Sequence, residues 1–167
     1  MATRMGFQHV VPDEHLKLIG DITVSFAFLE NAFENISHIL LGTEGRLGPI
    51  VTAELSFKAL RALAASLYLE KNGEDENYEE FRELLKRAAS VEEQRNQYTH
   101  SRWGAGTDPA SITRIKTTAK EKHGVRFTFE NITLKQLREL SLEIKFLIHD
   151  VFHFPFMLVQ ANSPEHP

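Results

Sequence analysis

Arg95, Asn96, Thr99 and His100 close a stretch of helical periodicity in the run Arg-Asn-Gln-Tyr-Thr-His, and no other part of the chain is so equipped for chemistry. A guanidinium holds a phosphodiester through two parallel hydrogen bonds, and an imidazole exchanges a proton with a ribose hydroxyl near neutral pH. Together they point to cleavage of RNA without a metal. The separation alone carries little, since it recurs between Arg4 and His9. Placement carries more. At about 100° per residue the four side chains fall within an arc of roughly 140°, able to face one site, with Asn96 one turn below His100 where it can steady the ring. On the same projection Phe81, Leu84 and Ala88 share the azimuth of Arg95, which puts the cation on an apolar meridian. An arginine so placed pairs with a carboxylate, lies at a helix end, or lines an interface or ligand site. Glu30 and Glu34, one turn apart, are candidate partners for it.

The elements that must position these residues follow from the apolar pattern. Steps of three and four through Ile19, Ile22, Phe26, Leu29, Phe33, Ile36 and Leu40 predict a long helix over 13–41, and Val24, Phe28, Ala32 and Ile39 widen its stripe as for a central helix. Gly42, Gly45, Gly48 and Pro49 break the chain. A second helix is expected from about Thr52 to Lys71, ending at Asn72-Gly73, and a third from Asn77, as its cap, to about Trp103. From Ile112 to Glu130, β-branched and aromatic residues alternate with charged ones around the glycine of Glu-Lys-His-Gly, a hairpin signature with its basic residues on the wet face. Thr133 can cap a last helix ending near Val159, which Pro155 would kink or shorten. The expected fold is therefore all-α, a bundle of four to five helices with a β-hairpin (about 112–130) inserted before the last long helix.

Composition bounds the rest. A chain of 167 residues, 42% hydrophobic, has material for one domain, taken as 13–161 between a flexible N-terminus (1–12) and a frayed tail (162–167). The absence of cysteine excludes disulfide frameworks, thiolate zinc sites and cysteine nucleophiles. No uncharged apolar run of about 18 residues and no secretory pattern is present, so a cytoplasmic protein without membrane contact is expected. The net charge of −4 argues against nonspecific coating of nucleic acid. Its distribution is uneven: acids crowd Glu70 to Glu83, whereas Arg114, Lys116, Lys120, Lys122 and Arg126 crowd the hairpin. Thr99, Arg102, Arg114 and Lys116 are accordingly the candidate substrate-binding residues, with Arg95, Asn96 and His100 the candidate catalytic ones.

The pattern Arg-Asn-x-x-x-His near the end of a helix in a small bundle, followed by Ser101 and Trp103, resembles the HEPN superfamily (higher eukaryotes and prokaryotes nucleotide-binding domain). The resemblance spans the chain in architecture but only six to nine residues in motif. It implies a metal-independent endoribonuclease of a toxin–antitoxin or phage-defence system: Arg95 binds the scissile phosphate, His100 transfers protons and Asn96 positions substrate or ring. Attack by the ribose 2′-hydroxyl would leave a 2′,3′-cyclic phosphate and spare DNA. Acid and base each need a group, worth about 10²–10⁴-fold apiece, and one chain offers one such histidine. A two-fold homodimer supplies the second, as HEPN ribonucleases typically arrange. RNA and a second copy of the chain are thus the implied partners, with an antitoxin or nucleotidyltransferase as a further one and no cofactor. Some family toxins carry a tyrosine two residues after the histidine that accepts a nucleotide; here that position is Arg102, and that control is not expected.

Other constellations read more plainly. His149 and His153, four apart, lack the accompanying carboxylates of a bundle metal site, and Glu30, Glu34 and His38 read as a polar helix face, so no metal is expected. Phe152, Phe154 and Phe156 are candidates for a dimer contact. The alternative to a nuclease is a noncatalytic binding or scaffold module, a nucleotide-binding or partner-subunit relative, in which Arg95 serves a salt bridge.

Overall fold

Five helices and a three-stranded antiparallel sheet make up the described residues of the chain in a computed structural model, which are 9–42, 45–120 and 124–161, with side chains to Ala119 and from Gly124 to Pro155 in the last two stretches. The order is α1 (Asp13–Leu41), α2 (Leu47–Thr52), α3 (Phe57–Asn72), α4 (Tyr78–Thr99), β1 (Arg102–Ala105), β2 (Ser111–Lys120), β3 (Gly124–Thr133) and α5 (Leu134–Ala161). This overturns the all-α expectation: the chain is mostly helical, but the hairpin belongs to a sheet with a third strand. Residues Arg102–Ala105, of which Arg102 and Trp103 read from sequence as the tail of a helix, pair with β2 in the register Arg102↔Ile115 and Ala105↔Ile112. Residues 1–8, with the Arg4 half of the Arg4–His9 pair, residues 121–123, with Lys122 of the expected hairpin, residues 162–167 and the side chains of Lys120 and Phe156 lie outside the described residues.

α1 is the hub. Ile22, Phe26, Leu29, Phe33 and Ile36 are buried along it, at the three-and-four spacing that lines up one face of a helix. The widened stripe does not hold throughout: Ala32 is buried, but Val24, Phe28 and Ile39 are exposed. α5 lies along α1 in the same direction, Asp21 meeting Ser141 and Lys145 near one end and Ile36 and Ile39 facing Val151 and Phe152 near the other. α4 runs the opposite way. Phe81 stacks on Phe154 at 5.1 Å, Arg87 bonds both Glu143 and Asp150, and Tyr98 lies beside Gln136 and Leu140.

Helix ends depart from expectation where capping decides them. The expected Thr52–Lys71 helix is two, because Ser56 accepts the Ala59 amide at 3.3 Å and starts α3 afresh, while Pro49 sits within the first turn of α2, where a missing N–H costs nothing. Asn77 precedes α4 without a side-chain cap; Asp75 takes that part, accepting the Asn77 amide at 3.2 Å and the Tyr68 hydroxyl at 2.5 Å. α4 stops at Thr99, short of Trp103. Thr133 and Gln136 form the reciprocal capping box that opens α5, Thr133 accepting the Gln136 amide at 3.3 Å and Gln136 the Thr133 amide at 2.8 Å. α5 continues through Pro155 to Ala161. Phe154, expected at a dimer contact, is core at 1% exposure, sandwiched with Tyr68 and Phe81.

The sheet grows out of the C-terminal end of α4. Between β1 and β2 the chain closes so tightly at Gly106 that a Cβ there would lie 2.0 Å from the Ser111 carbonyl oxygen. With one strand residue facing up and the next down, the register divides the sheet into two faces. Trp103, Arg114 and Glu130 share the face turned toward Tyr98 of α4, whose ring lies 6.4 Å from Trp103. Arg102, Ile115 and Phe129, then Thr117 with Phe127 and Ala119 with Val125, share the other.

Candidate functional site

Where α4 ends against β2 the surface opens into a cleft of about 500 Å³, lined by Glu92, Glu93, Asn96, Gln97, His100 and Ser101 from the helix side and by Arg114 and Lys116 from the sheet. A smaller recess of about 230 Å³ continues past His100 between Arg102, Ile115 and Thr117. Four of the expected residues, Asn96, His100, Arg114 and Lys116, therefore meet in one place, and Arg102 stands at its margin. They meet because α4 terminates there. The His100 amide still donates to the Asn96 carbonyl at 3.2 Å, and the Ser101 hydroxyl donates to the Gln97 carbonyl, so the helix unwinds in a fixed way and leaves the imidazole exposed.

Arg95 turns the other way. Its guanidinium lies over the Phe26 ring at 4.4 Å, its Nη1 donates to the Asn96 Oδ1 at 2.8 Å, and its buried Nε has no partner among the described residues. An arginine on the apolar meridian has here found an aromatic face in place of a salt bridge. Glu30 and Glu34, its expected partners, do not pair with it: Asn31 donates to Glu34 at 3.4 Å, and Glu30 keeps its distance while still feeling the cation. Burial pushes the Glu30 carboxyl above the usual glutamate range, Arg95 opposing and Glu34 and Glu92 adding to the rise. Glu92 is held by Arg61 at 2.6 Å, and Arg61 lies 5.4 Å from the Phe57 ring, which meets Phe26 edge-on at 4.9 Å. Two arginines thus cover two adjoining rings between α1, α3 and α4. Thr99 is turned to its own helix, donating to the Arg95 carbonyl at 3.0 Å.

The sheet-borne cations differ among themselves. Arg114 is only 8% exposed and binds Glu130 through both Nε, at 3.0 Å, and Nη2, so its charge is spent within the sheet. That corrects the expectation of a wet basic face at this position. Burial, then the Glu130 carboxylate, pushes the Tyr98 phenol beneath this pair up, with Arg114 opposing. Lys116 and Arg102 are exposed and make no ion pair among the described residues, leaving them as the cations of the cleft. The acids of 70–83 lie around the other end of α4, whose 22 residues span about 33 Å.

Gln97, Glu93 and the Arg61–Glu92 pair escaped the sequence reading, and Ser101 entered it only as part of the motif. Gln97 and Glu93 had a signal: Glu93, Asn96, Gln97 and His100 stand at i, i+3, i+4 and i+7, one polar stripe of the helix. The arginine–glutamate pairs between separate elements had none. Among the described residues no group of three or more histidine and carboxylate side chains gathers as a metal site; His38 bonds Thr52 at 3.0 Å, and the His149 ring lies against His153 at 4.2 Å with Nδ1 turned to Asp150. No helix among them is long and apolar enough to cross a membrane. Comparison with known proteins returned no match to any family model, curated protein or solved structure.

Proposed function

We propose that the chain is a cytoplasmic, metal-independent endoribonuclease of HEPN type, cleaving RNA by attack of the 2′-hydroxyl at a site completed by a second copy. The observation that carries this reading is the convergence of His100, Asn96 and Lys116 on one open cleft at the joint of helix and sheet, with Arg102 in the recess that continues past His100. His100 transfers the proton, and Lys116 and Arg102 hold the phosphate. Arg95 acts through Asn96: its bond to Oδ1 turns the amide NH₂ of Asn96 toward the cleft as a donor. Arg95 is then a positioning residue and not the phosphate ligand that the sequence alone implied. Glu93 shares the cleft but stands two helical turns from His100, about 10 Å along the axis, too far to serve the same phosphodiester. The second proton-transfer group therefore comes from a symmetry-related His100.

The placement of Arg95 over Phe26 favours a second reading, a noncatalytic RNA-binding module in which this arginine only packs. A digest of single-stranded RNA with chelator present separates the two. The nuclease reading requires products ending in 2′,3′-cyclic phosphate, DNA left whole, and a loss of about 10²-fold or more in His100→Ala at unchanged melting temperature. Intact RNA with the wild-type chain, or full activity in His100→Ala, leaves only the binding module.

A further inference from the structure

β3 carries the largest exposed aromatic surface of the sheet, and the cleft does not account for it. Phe127 is 58% and Phe129 66% exposed, with Val125 beside them at 61%. All three lie on one face, opposite the Arg114–Glu130 pair, in rows with Thr117, Ile115 and Ala119 of β2. Side chains of this size and type are ordinarily turned inward on a half-buried strand. Two further features give the face an occupant. It is continuous with the proposed site, because the row of Phe129 runs through Ile115 to Arg102, and Arg102, Ile115 and Thr117 line the recess beside His100. Its nearby charge is positive: Arg102 stands in its own row, Lys116 lines the same recess from the other face, and the one acid among the described strand residues, Glu130, lies on that other face in an ion pair with Arg114.

We propose that this face is a stacking platform for single-stranded nucleic acid, on which the bases flanking the scissile position lie against Phe129 and Phe127. Side chains two apart on a strand stand about 7 Å from one another, close to the stride of consecutive nucleotides in an extended chain. Every base has a π-face, so such stacking tolerates any sequence, while Arg102 and Lys116 follow the backbone toward His100. The platform grips the strand, and the cleft acts on it. The proposal rests on the nucleic-acid reading of the cleft and adds the residues that hold the substrate beyond the reacting phosphate.

The test is fluorescence anisotropy at low salt with a fluorescein-labelled single-stranded RNA and a DNA of the same sequence, in a His100→Ala background that leaves both probes intact. Phe127→Ala with Phe129→Ala should weaken both probes by at least about tenfold. Tyrosine at both positions should restore binding, and leucine, equally apolar but without a π-face, should not. Circular dichroism melts of each variant confirm that the fold is retained. Parent-like binding by the alanine or leucine pair overturns the proposal, as does failure of the parent to bind either probe. So does a shift from dimer to monomer in the alanine pair at unchanged affinity, which would make the face a contact between copies. Should the wild-type chain cut no RNA while these affinity differences persist, the nuclease reading falls and the platform stands.

Discussion

Arg95 shows how one side chain can carry two readings that stability separates. Its stem and guanidinium cover Phe26, and its charge is felt by Glu30 without pairing. Arg95→Ala is therefore expected to lower stability by about 1–2 kcal/mol through lost packing and cation–π contact, seen as a lower melting temperature. If cleavage falls in step through kcat with KM little changed, Arg95 works by holding Asn96. A large rise in KM with no change in melting would instead make it a ligand of the phosphate. Glu30 makes the complementary prediction. Its carboxyl is raised in the folded state, so the folded chain holds that proton more tightly than the unfolded one, and the stability linked to it is greatest below the ordinary value of 4.5 and declines as pH rises through the folded value. Near neutral pH the ionised group is a burden. Glu30→Gln should raise the melting temperature there, with the gain vanishing on acidification; a lower melting temperature at neutral pH would show that attraction to Arg95 outweighs burial.

At the scale of elements, the sequence was legible wherever a period spoke for a whole segment. α1 and the body of α5 follow from apolar spacing, and the capping box at Thr133 and Gln136 from side-chain chemistry three residues apart. β2 and β3 follow from alternation. What local reading missed is long-range. Arg102–Ala105 has too few residues to show a period, and its strand character comes from β2, whose pairing residues stand between 7 and 13 positions away. The break at Ser56 was hidden beneath continuing apolar periodicity, and Arg61–Glu92 and Arg114–Glu130 join residues that no spacing rule connects. The same geometry makes Gly106 a sensitive position. An alanine Cβ would press on the Ser111 backbone, which cannot swing aside as a side chain would, so Gly106→Ala should destabilise by about 2 kcal/mol or more. Trp103, the one tryptophan of the chain, sits on β1 and reports the event. Its emission should shift to longer wavelength before helical ellipticity is lost, whereas coincident transitions would show that sheet and bundle unfold as one.

For the whole molecule the arrangement of two copies is the stringent question. Val24 and Phe28 on α1 and Leu142 and Phe146 on α5 are exposed, and Phe28, about 200° around α1 from Phe26, points away from the side that meets Arg95. A copy seated on those residues would leave two His100 clefts far apart, so dimerisation by itself does not complete a site. Titration does discriminate. With His100→Ala chains mixed into wild type at constant total protein and allowed to exchange, a composite site predicts activity falling as the square of the wild-type fraction. A linear fall would mean that each chain cleaves alone. One consequence of the strand order β1-β2-β3 concerns solubility. β3 is an edge, and along its outer side run amide and carbonyl groups without strand partners among the described residues, next to three large apolar side chains on one face and Arg126 on the other. Such a border invites another β3 to extend the sheet, with one arginine per ribbon as the main deterrent. Concentrated preparations should accordingly turn cloudy as salt screens that charge, and clear when an oligonucleotide covers the rings.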